Sequence, residues 1–234
     1  MNVSLLKPRP ATAPSNIRIW HDVPQNTDAW TALRTGKATA SNFACFMAND
    51  GKAFGDPAKR YALQIALERI TGRKAEFGFK NAEMERGHEQ EPIARMMYEE
   101  ERFVDVTNGG FFDLGEYGDS PDGLVGSDGV LEIKSVIAAV HYDTLRRGSF
   151  DPSYKWQLVG HLDCTGRDWV DFTSYCSDFP ESGQLITYRQ DRDDFKEELL
   201  RLEDRRALFL DLVEATCKTL DRKSTRLNSS HPLD

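Results

Sequence analysis

Apolar positions recur at helical spacing along two stretches of the chain, broken in the middle by a group of short β-like runs. In "DPAKRYALQIALERITG" the residues Tyr61, Ile65, Leu67 and Ile70 fall near one helical face, and Gly72 supplies a C-terminal stop. "NAEMERGHEQEPIARMMYEEERF" predicts a second long helix, with Met84, Ile93, Met96 and Met97 as its buried stripe. Pro92 within it is expected to kink the helix or to remove a hydrogen bond. Before both, "TDAWTALRTGKATASNFACFM" predicts a short helix carrying Trp30 and Leu33, then a second helix capped by Ser41. Such a cap sets free N–H groups beside a hydroxyl and near Arg34, the makings of an anion site.

From Phe111 onward the pattern shortens. Phe111 to Leu114, the approach to Asp122, and "GVLEIKSV" read as strands, the last two joined by the turn "GSDG". "AAVHYDTLRRG" and "PSYKWQLVGHLDCTG" read as helices, "DWVDFTSYC" and "QLITYRQ" as strands. A closing amphipathic helix carries Phe195, Leu199, Leu202, Leu208 and Leu212, with the charges from Asp193 to Glu203 on its wet face. No repeat or linker divides the chain, so one α/β domain with a central mixed sheet flanked by helices is expected over residues 1–220, with 1–17 as a loose lead-in. The tail is treated apart. Asp221 to His231 can be read codon for codon as a sequencing-library adapter in frame, so residues 221–234 are expected to lie outside the fold and the natural C-terminus to be missing.

Composition narrows the class. Of 234 residues, 39% are hydrophobic and 29% charged, and no apolar run approaches a bilayer span or a secretory leader, which points to a soluble protein of the cytoplasm with no membrane partner. Cys45, Cys164, Cys176 and Cys217 form no CxxC pair and have no histidine at zinc-ligand spacing, so neither a zinc site nor a disulfide framework is indicated. A net charge of −8 speaks against a broad basic footprint for nucleic acid, although a local basic groove can sit on an acidic body.

The chemistry concentrates in "SPDGLVGSDGVLEIKSV". Alternation along a strand puts Glu132 and Lys134 on one face and Ile133 on the other, and the turn returns Asp122 towards them. Two carboxylates and an ammonium then share a patch. Carboxylates, a backbone carbonyl, water and phosphate are the oxygen ligands that Mg²⁺ takes, while a lysine beside them can orient water or offset transition-state charge. The same residues also suit a solvated hairpin, and the pattern by itself leaves both readings open.

Four segments extend the pattern. "DAWTALRTGKATAS", "GHEQEPIARMMYE", "SPDGLVGSDGVLEIK" and "YKWQLVGHLDCTGRDW" stand in the order and approximate spacing of the phage lambda exonuclease and YqaJ-like viral recombinase family, which the chain resembles from Asp28 to the final helix. The resemblance implies a restriction-endonuclease-like PD-(D/E)XK core, two Mg²⁺ ions with Mn²⁺ able to substitute, and processive 5′ to 3′ digestion of linear double-stranded DNA that leaves 3′ single strands. By position it implies metal carboxylates at Asp122, Glu132 and Glu91, with the backbone carbonyl of Ile133 completing the shell and Lys134 as the catalytic lysine. Gln157 would position water or metal, with Tyr154 in support, and Arg34, Ser41 and Ser120 would hold the 5′-phosphate. The assignment of Glu91 rests on the "ExxAR" register, and Glu89 is the alternative in a segment crowded with Glu83 and Glu85. The family also implies a ring-shaped homotrimer and a single-strand annealing protein as partner. His88 and His161 read as structural or solvent-facing, and Trp156 and Trp169 as core. Two other functions fit the same residues: an endonuclease of restriction or junction-resolving type, and a non-catalytic DNA-end-binding recombination protein.

Overall fold

A computed structural model describes residues 18–48, 51–75 and 82–228, with only the backbone described for 82–85 and 223–228. In chain order its elements are β1 (Ile19–His21), α1 (Asp28–Arg34), β2 (Ala38–Thr39), α2 (Ala44–Met47), α3 (Asp56–Thr71), α4 (Ala82–Arg102), β3 (Val106–Asn108), β4 (Phe111–Asp113), β5 (Tyr117–Asp119), β6 (Gly123–Val125), β7 (Gly129–Ser135), α5 (Ala138–Arg147), α6 (Lys155–Thr165), β8 (Trp169–Tyr175), β9 (Leu185–Asp191) and α7 (Lys196–Asn228). Single 3₁₀ turns lie at Ala40–Asn42, Pro152–Tyr154, Glu181–Gly183 and Arg192–Phe195. Among these residues no helix is long and apolar enough to cross a membrane.

The single mixed sheet of the sequence reading is divided into two. One has the order β1-β4-β5-β2 and the other β3-β6-β7-β8-β9. Each mixes directions: β2 runs parallel to β5, and β7 parallel to β8, while their remaining pairings are antiparallel. The hairpin β6–β7 pairs Gly123 with Leu131, which sets Asp122, just ahead of β6, against the middle of β7.

Helix existence follows the sequence more closely than helix faces do. Gly72 ends α3 in the left-handed conformation, as its position predicts. The buried residues of α3 include Tyr61 and Ile65, but Ala58, Ala62 and Ala66 fill the face, and Ile70 is exposed. In α4 the buried positions are Ala94 and Tyr98; Ile93 and Met96 point outward, and the side chain of Met84 lies outside the described residues, as do those of Glu83 and Glu85. Small residues permit close helix packing that a search for large apolar side chains overlooks. Helix α4 runs unbroken through Pro92. In α7 Leu202, Phe209 and Val213 enter the core while Leu208 is exposed, and the helix extends to Asn228, past the expected start of the tail at Asp221.

Ser41 is not a helix N-cap. It lies inside the 3₁₀ turn Ala40–Asn42, which begins after Thr39 and has no side-chain cap. That turn is held by α6, because a Cβ on Gly160 would stand 2.7 Å from Ala40 Cβ and 2.8 Å from the Phe43 ring. Only a glycine allows the approach. The principal core, with Phe43, Phe46, Tyr61, Leu158, Phe172 and Phe209, lies beneath this contact, and a second cluster around Tyr98, Leu131 and Ile133 lies under α4.

Candidate active site

Strand β7 divides its side chains as its pleat requires. Leu131 and Ile133 pack into the cluster under α4, while Glu132 and Lys134 face the opposite side. Asp122 Oδ2 accepts the N–H of Ile133 at 2.7 Å, so the hairpin carboxylate is tied to the residue between them. Lys134 Nζ lies 2.5 Å from Glu132 Oε1. Gln157, on the first turn of α6, donates from Nε2 to the same oxygen at 2.6 Å. One turn further along α6, His161 Nε2 reaches Glu132 Oε2 at 2.8 Å, and its Nδ1 reaches Asp119 Oδ2 at 2.6 Å. The Tyr154 ring stands 5.2 Å from Lys134 Nζ, within cation–π range.

These contacts separate the carboxylates electrostatically. Burial, then the charges of Glu132 and Glu91, push Asp122 well above the usual carboxylate range. Glu91 is raised too, by burial and then by Glu132. Glu132 goes the other way: burial would raise it, but Lys134 and His161 outweigh burial and hold it at about 2. Burial would lower Lys134, yet Glu132 and Asp122 hold its ammonium above the ordinary lysine value. The same competition, burial against Asp119 and Glu132, pushes His161 up to about 10.

All ten positions singled out by sequence line one cleft of about 700 Å³: Glu91, Asp122, Glu132, Ile133, Lys134, Tyr154 and Gln157 with Arg34, Ser41 and Ser120. Glu89 is exposed and does not line it, so α4 presents Glu91 and turns Glu89 away. On the Arg34 side, the guanidinium stacks 4.2 Å from the Trp30 ring centroid, and Trp30 Nε1 donates to Ser120 Oγ at 2.8 Å. Burial draws the Arg34 guanidinium below its ordinary value, with Tyr61, Asp119 and Glu68 opposing. Ser41 is exposed to the cleft, its Oγ 3.4 Å from Thr39 Oγ1 and from Asn42 Nδ2.

Sequence reasoning missed Asp119, His161 and Trp30. Of the two readings of His161, solvent-facing is corrected by its full burial, while the structural one stands with a specific content, its two carboxylate contacts. A signal was present in the i, i+4 spacing of Gln157 and His161, which puts both on one helical face.

The donor set suits a hard divalent cation: Asp122, Glu132 and Glu91 supply carboxylate oxygens, with the Gln157 amide beside them. Among the described residues no three Asp, Glu, His or Cys side chains are already gathered tightly enough to hold an ion. The fit lies in charge. Asp122 and Glu91 are pushed towards the neutral form by burial and by neighbouring carboxylates, an imbalance a divalent cation would relieve.

Comparison with known proteins gives a consistent relationship. Residues 29–168 match the family model described as the YqaJ-like viral recombinase domain. Among solved structures, the alkaline exonuclease LHK-Exo from Laribacter hongkongensis is 36% identical over 86% of this chain and 100% of its own, with a TM-score of 0.77. The same enzyme solved with dAMP matches equally. A phage-related exonuclease from Haemophilus somnus 129PT, 16% identical over 84% of this chain and 99% of its own, shares the fold at a TM-score of 0.60. A comparison with curated proteins finds no match. The cleft therefore sits on a restriction-endonuclease-like PD-(D/E)XK fold, and the chain belongs to the YqaJ-like viral recombinase family.

Proposed function

We propose that this protein is a Mg²⁺-dependent exodeoxyribonuclease that digests linear double-stranded DNA from 5′ ends and leaves 3′ single strands for recombination in the host cytoplasm. The observation that carries the reading is the meeting of Lys134 and Gln157 on one oxygen of Glu132, in the cleft that Asp122, Glu91 and Arg34 also line. The structural likeness to LHK-Exo, an alkaline exonuclease, supports the same reading.

Each residue has work suited to its chemistry. Asp122, Glu132, Glu91 and the Ile133 carbonyl would hold the cation, with Mn²⁺ able to replace Mg²⁺ and two ions expected. When bound, the cation supplies Lewis-acid polarisation of the scissile phosphate and offsets charge on the leaving oxygen. Lys134 keeps its proton and places a positive charge beside the reacting phosphate. Gln157 spends its N–H on Glu132, which leaves its amide oxygen to accept a hydrogen bond from the attacking water. Tyr154 braces the Lys134 ammonium. Arg34 offers a planar fork of donors to a terminal 5′-phosphate, with the Ser41 and Ser120 hydroxyls beside it. A homotrimeric ring around DNA ends and an annealing protein for the product strand complete the proposal.

End-labelled linear duplex, with and without 5′-phosphate, set beside closed plasmid and assayed with Mg²⁺ or EDTA, tests it. Mononucleotide release from 5′-phosphorylated ends only with Mg²⁺ is the expected result. Cutting of closed plasmid would replace it by an endonuclease, and end binding without turnover by a non-catalytic end-binding protein.

A further inference from the structure

His161 is fully buried, and its ring joins the two sheets. Asp119, which receives Nδ1, ends β5 of the four-stranded sheet; Glu132, which receives Nε2, is central in β7 of the five-stranded one. A carboxylate oxygen accepts hydrogen bonds and donates none, so the ring serves both neighbours by donating from each nitrogen. Helix α6 thus grips Glu132 by both oxygens, Gln157 on Oε1 and His161 on Oε2. Gln157 and Lys134, which line the cleft, share one oxygen; the other meets His161, which is fully buried and does not line it. Asp119 is also the residue before Ser120, whose hydroxyl is bonded to Trp30 beneath Arg34.

We propose that His161, anchored by Asp119, is a positioning residue that fixes the plane of the Glu132 carboxylate and thereby its aim into the cleft. This rests on the metal-dependent nuclease reading above. With the ring removed, Glu132 retains Lys134 and Gln157 on one oxygen and can rotate about that edge, so its cation-facing geometry is no longer defined. Partners that orient a metal-holding carboxylate commonly matter by about 10- to 100-fold in metal affinity.

The geometry also specifies a rescue. His161→Gln can still donate to Glu132 through its amide nitrogen, but its amide oxygen then faces the Asp119 carboxylate, two acceptors with no proton between them. Asp119→Asn combined with His161→Gln restores donation along the whole chain without either charge. The test measures Mn²⁺ affinity of the DNA-free protein by electron paramagnetic resonance, thermal unfolding, and kcat and KM on 5′-phosphorylated duplex. His161→Gln is expected to weaken Mn²⁺ binding about 10- to 100-fold and to lower kcat with KM for DNA little changed. The double variant is expected to regain a large part of both. Asp119→Asn, which leaves the imidazole beside Glu132, is expected to give a smaller loss in the same direction, and it provides the measurement if His161→Gln does not fold. Wild-type Mn²⁺ affinity in a folded His161→Gln or Asp119→Asn protein overturns the inference, as does a double variant no better than His161→Gln. A wild-type protein that neither binds Mn²⁺ nor cuts DNA would instead remove the nuclease reading on which it stands.

Discussion

Gln157 Nε2 and Glu132 Oε1 lie 2.6 Å apart, a hydrogen bond that joins the first turn of a helix to the centre of a strand 25 residues earlier. Because Lys134 contacts the same oxygen, the amide and the ammonium are held side by side at the cleft wall. Replacing Gln157 by Ala removes a donor to Glu132 and an acceptor for water together. A fall in kcat on the order of 10²-fold is expected, with end binding retained. Gln157→Glu should be worse than Gln157→Ala, since it sets a second carboxylate against Glu132. Steady-state kinetics on both variants checks the order.

Lys134→Ala should abolish most turnover while leaving a protein that still recognises DNA ends. The ammonium is the cation closest to Glu132 and the first influence that keeps this glutamate ionised against its burial. Its loss removes a positive charge from beside the reacting phosphate and leaves His161 as the remaining group that holds Glu132 ionised, costing about 10²- to 10³-fold in kcat. Single-turnover digestion at saturating enzyme separates the chemical step from binding.

The carboxylates predict how pH and Mg²⁺ act together on stability. Asp122 and Glu91 are raised in the folded protein, so their contribution is fully present below the ordinary carboxylate values, about 4, and is lost as pH climbs through the raised ones. Glu132, held at about 2, acts oppositely: its contribution is present above its ordinary value and is lost as pH falls towards 2. Without a divalent cation, the first two should make the protein less stable as pH rises above about 4. A cation that favours the ionised forms should then stabilise more at pH 8 than at pH 5. At a hundred times its Kd, Mg²⁺ would add about 2.7 kcal/mol, or roughly 5 to 10 °C in Tm for a chain of this size. Calorimetry with Mg²⁺ and with EDTA across this range measures the difference; a shift independent of pH would count against cation binding at these carboxylates.

Arg34 should govern preference for the end group and leave the chemistry alone. Its guanidinium is stacked on Trp30 and lines the same cleft as Lys134 and Glu132. Arg34→Lys keeps the charge but loses the planar fork and the stacking, so it should behave nearly as Arg34→Ala. The ratio of kcat/KM for 5′-phosphorylated over 5′-hydroxyl duplex is expected to fall about tenfold or more in both.

What could be read from the sequence, and what could not, follows from the range of the interactions. Helix ends, the β6–β7 hairpin and the shared face of Glu132 and Lys134 depend on neighbours in the chain, and spacing and turn residues reveal them. Which helical face is buried depends on what packs against it: Ala94 and Tyr98 rather than Ile93 and Met96 face inward because α4 lies on β7 at Leu131 and Ile133. Asp119 and His161 were missed for a similar reason. The i, i+4 spacing sets His161 on the helical face of Gln157 but does not identify the two carboxylates that meet it from different sheets, and only the fold puts them 2.6 and 2.8 Å from its ring. Ser41 shows the reverse case: it lines the cleft with the other residues singled out, but without the capping role its spacing suggests.

Gly160 gives a test of how the fold places the site. It lies on α6 between Gln157 and His161, both of which hold Glu132, and it presses on the turn that carries Ser41. A methyl group there would stand 2.7 Å from Ala40 Cβ and 2.8 Å from the Phe43 ring, closer than carbon atoms can rest. Both obstacles are fully buried, so neither can swing into solvent. Gly160→Ala gains helix propensity of up to about 1 kcal/mol, but overpacking of a filled core costs about 1 to 3 kcal/mol, and the second effect should win. The strain can be relieved only by moving α6 away from the turn, which carries Gln157 and His161 with it. Gly160→Ala should therefore lower Tm and kcat together, whereas Gly166→Ala at the end of the same helix, where φ is +73° and Arg18 is the nearest side chain, should lower Tm with a smaller effect on kcat. Thermal unfolding and steady-state digestion of the two variants in parallel distinguish loss of site geometry from loss of stability alone.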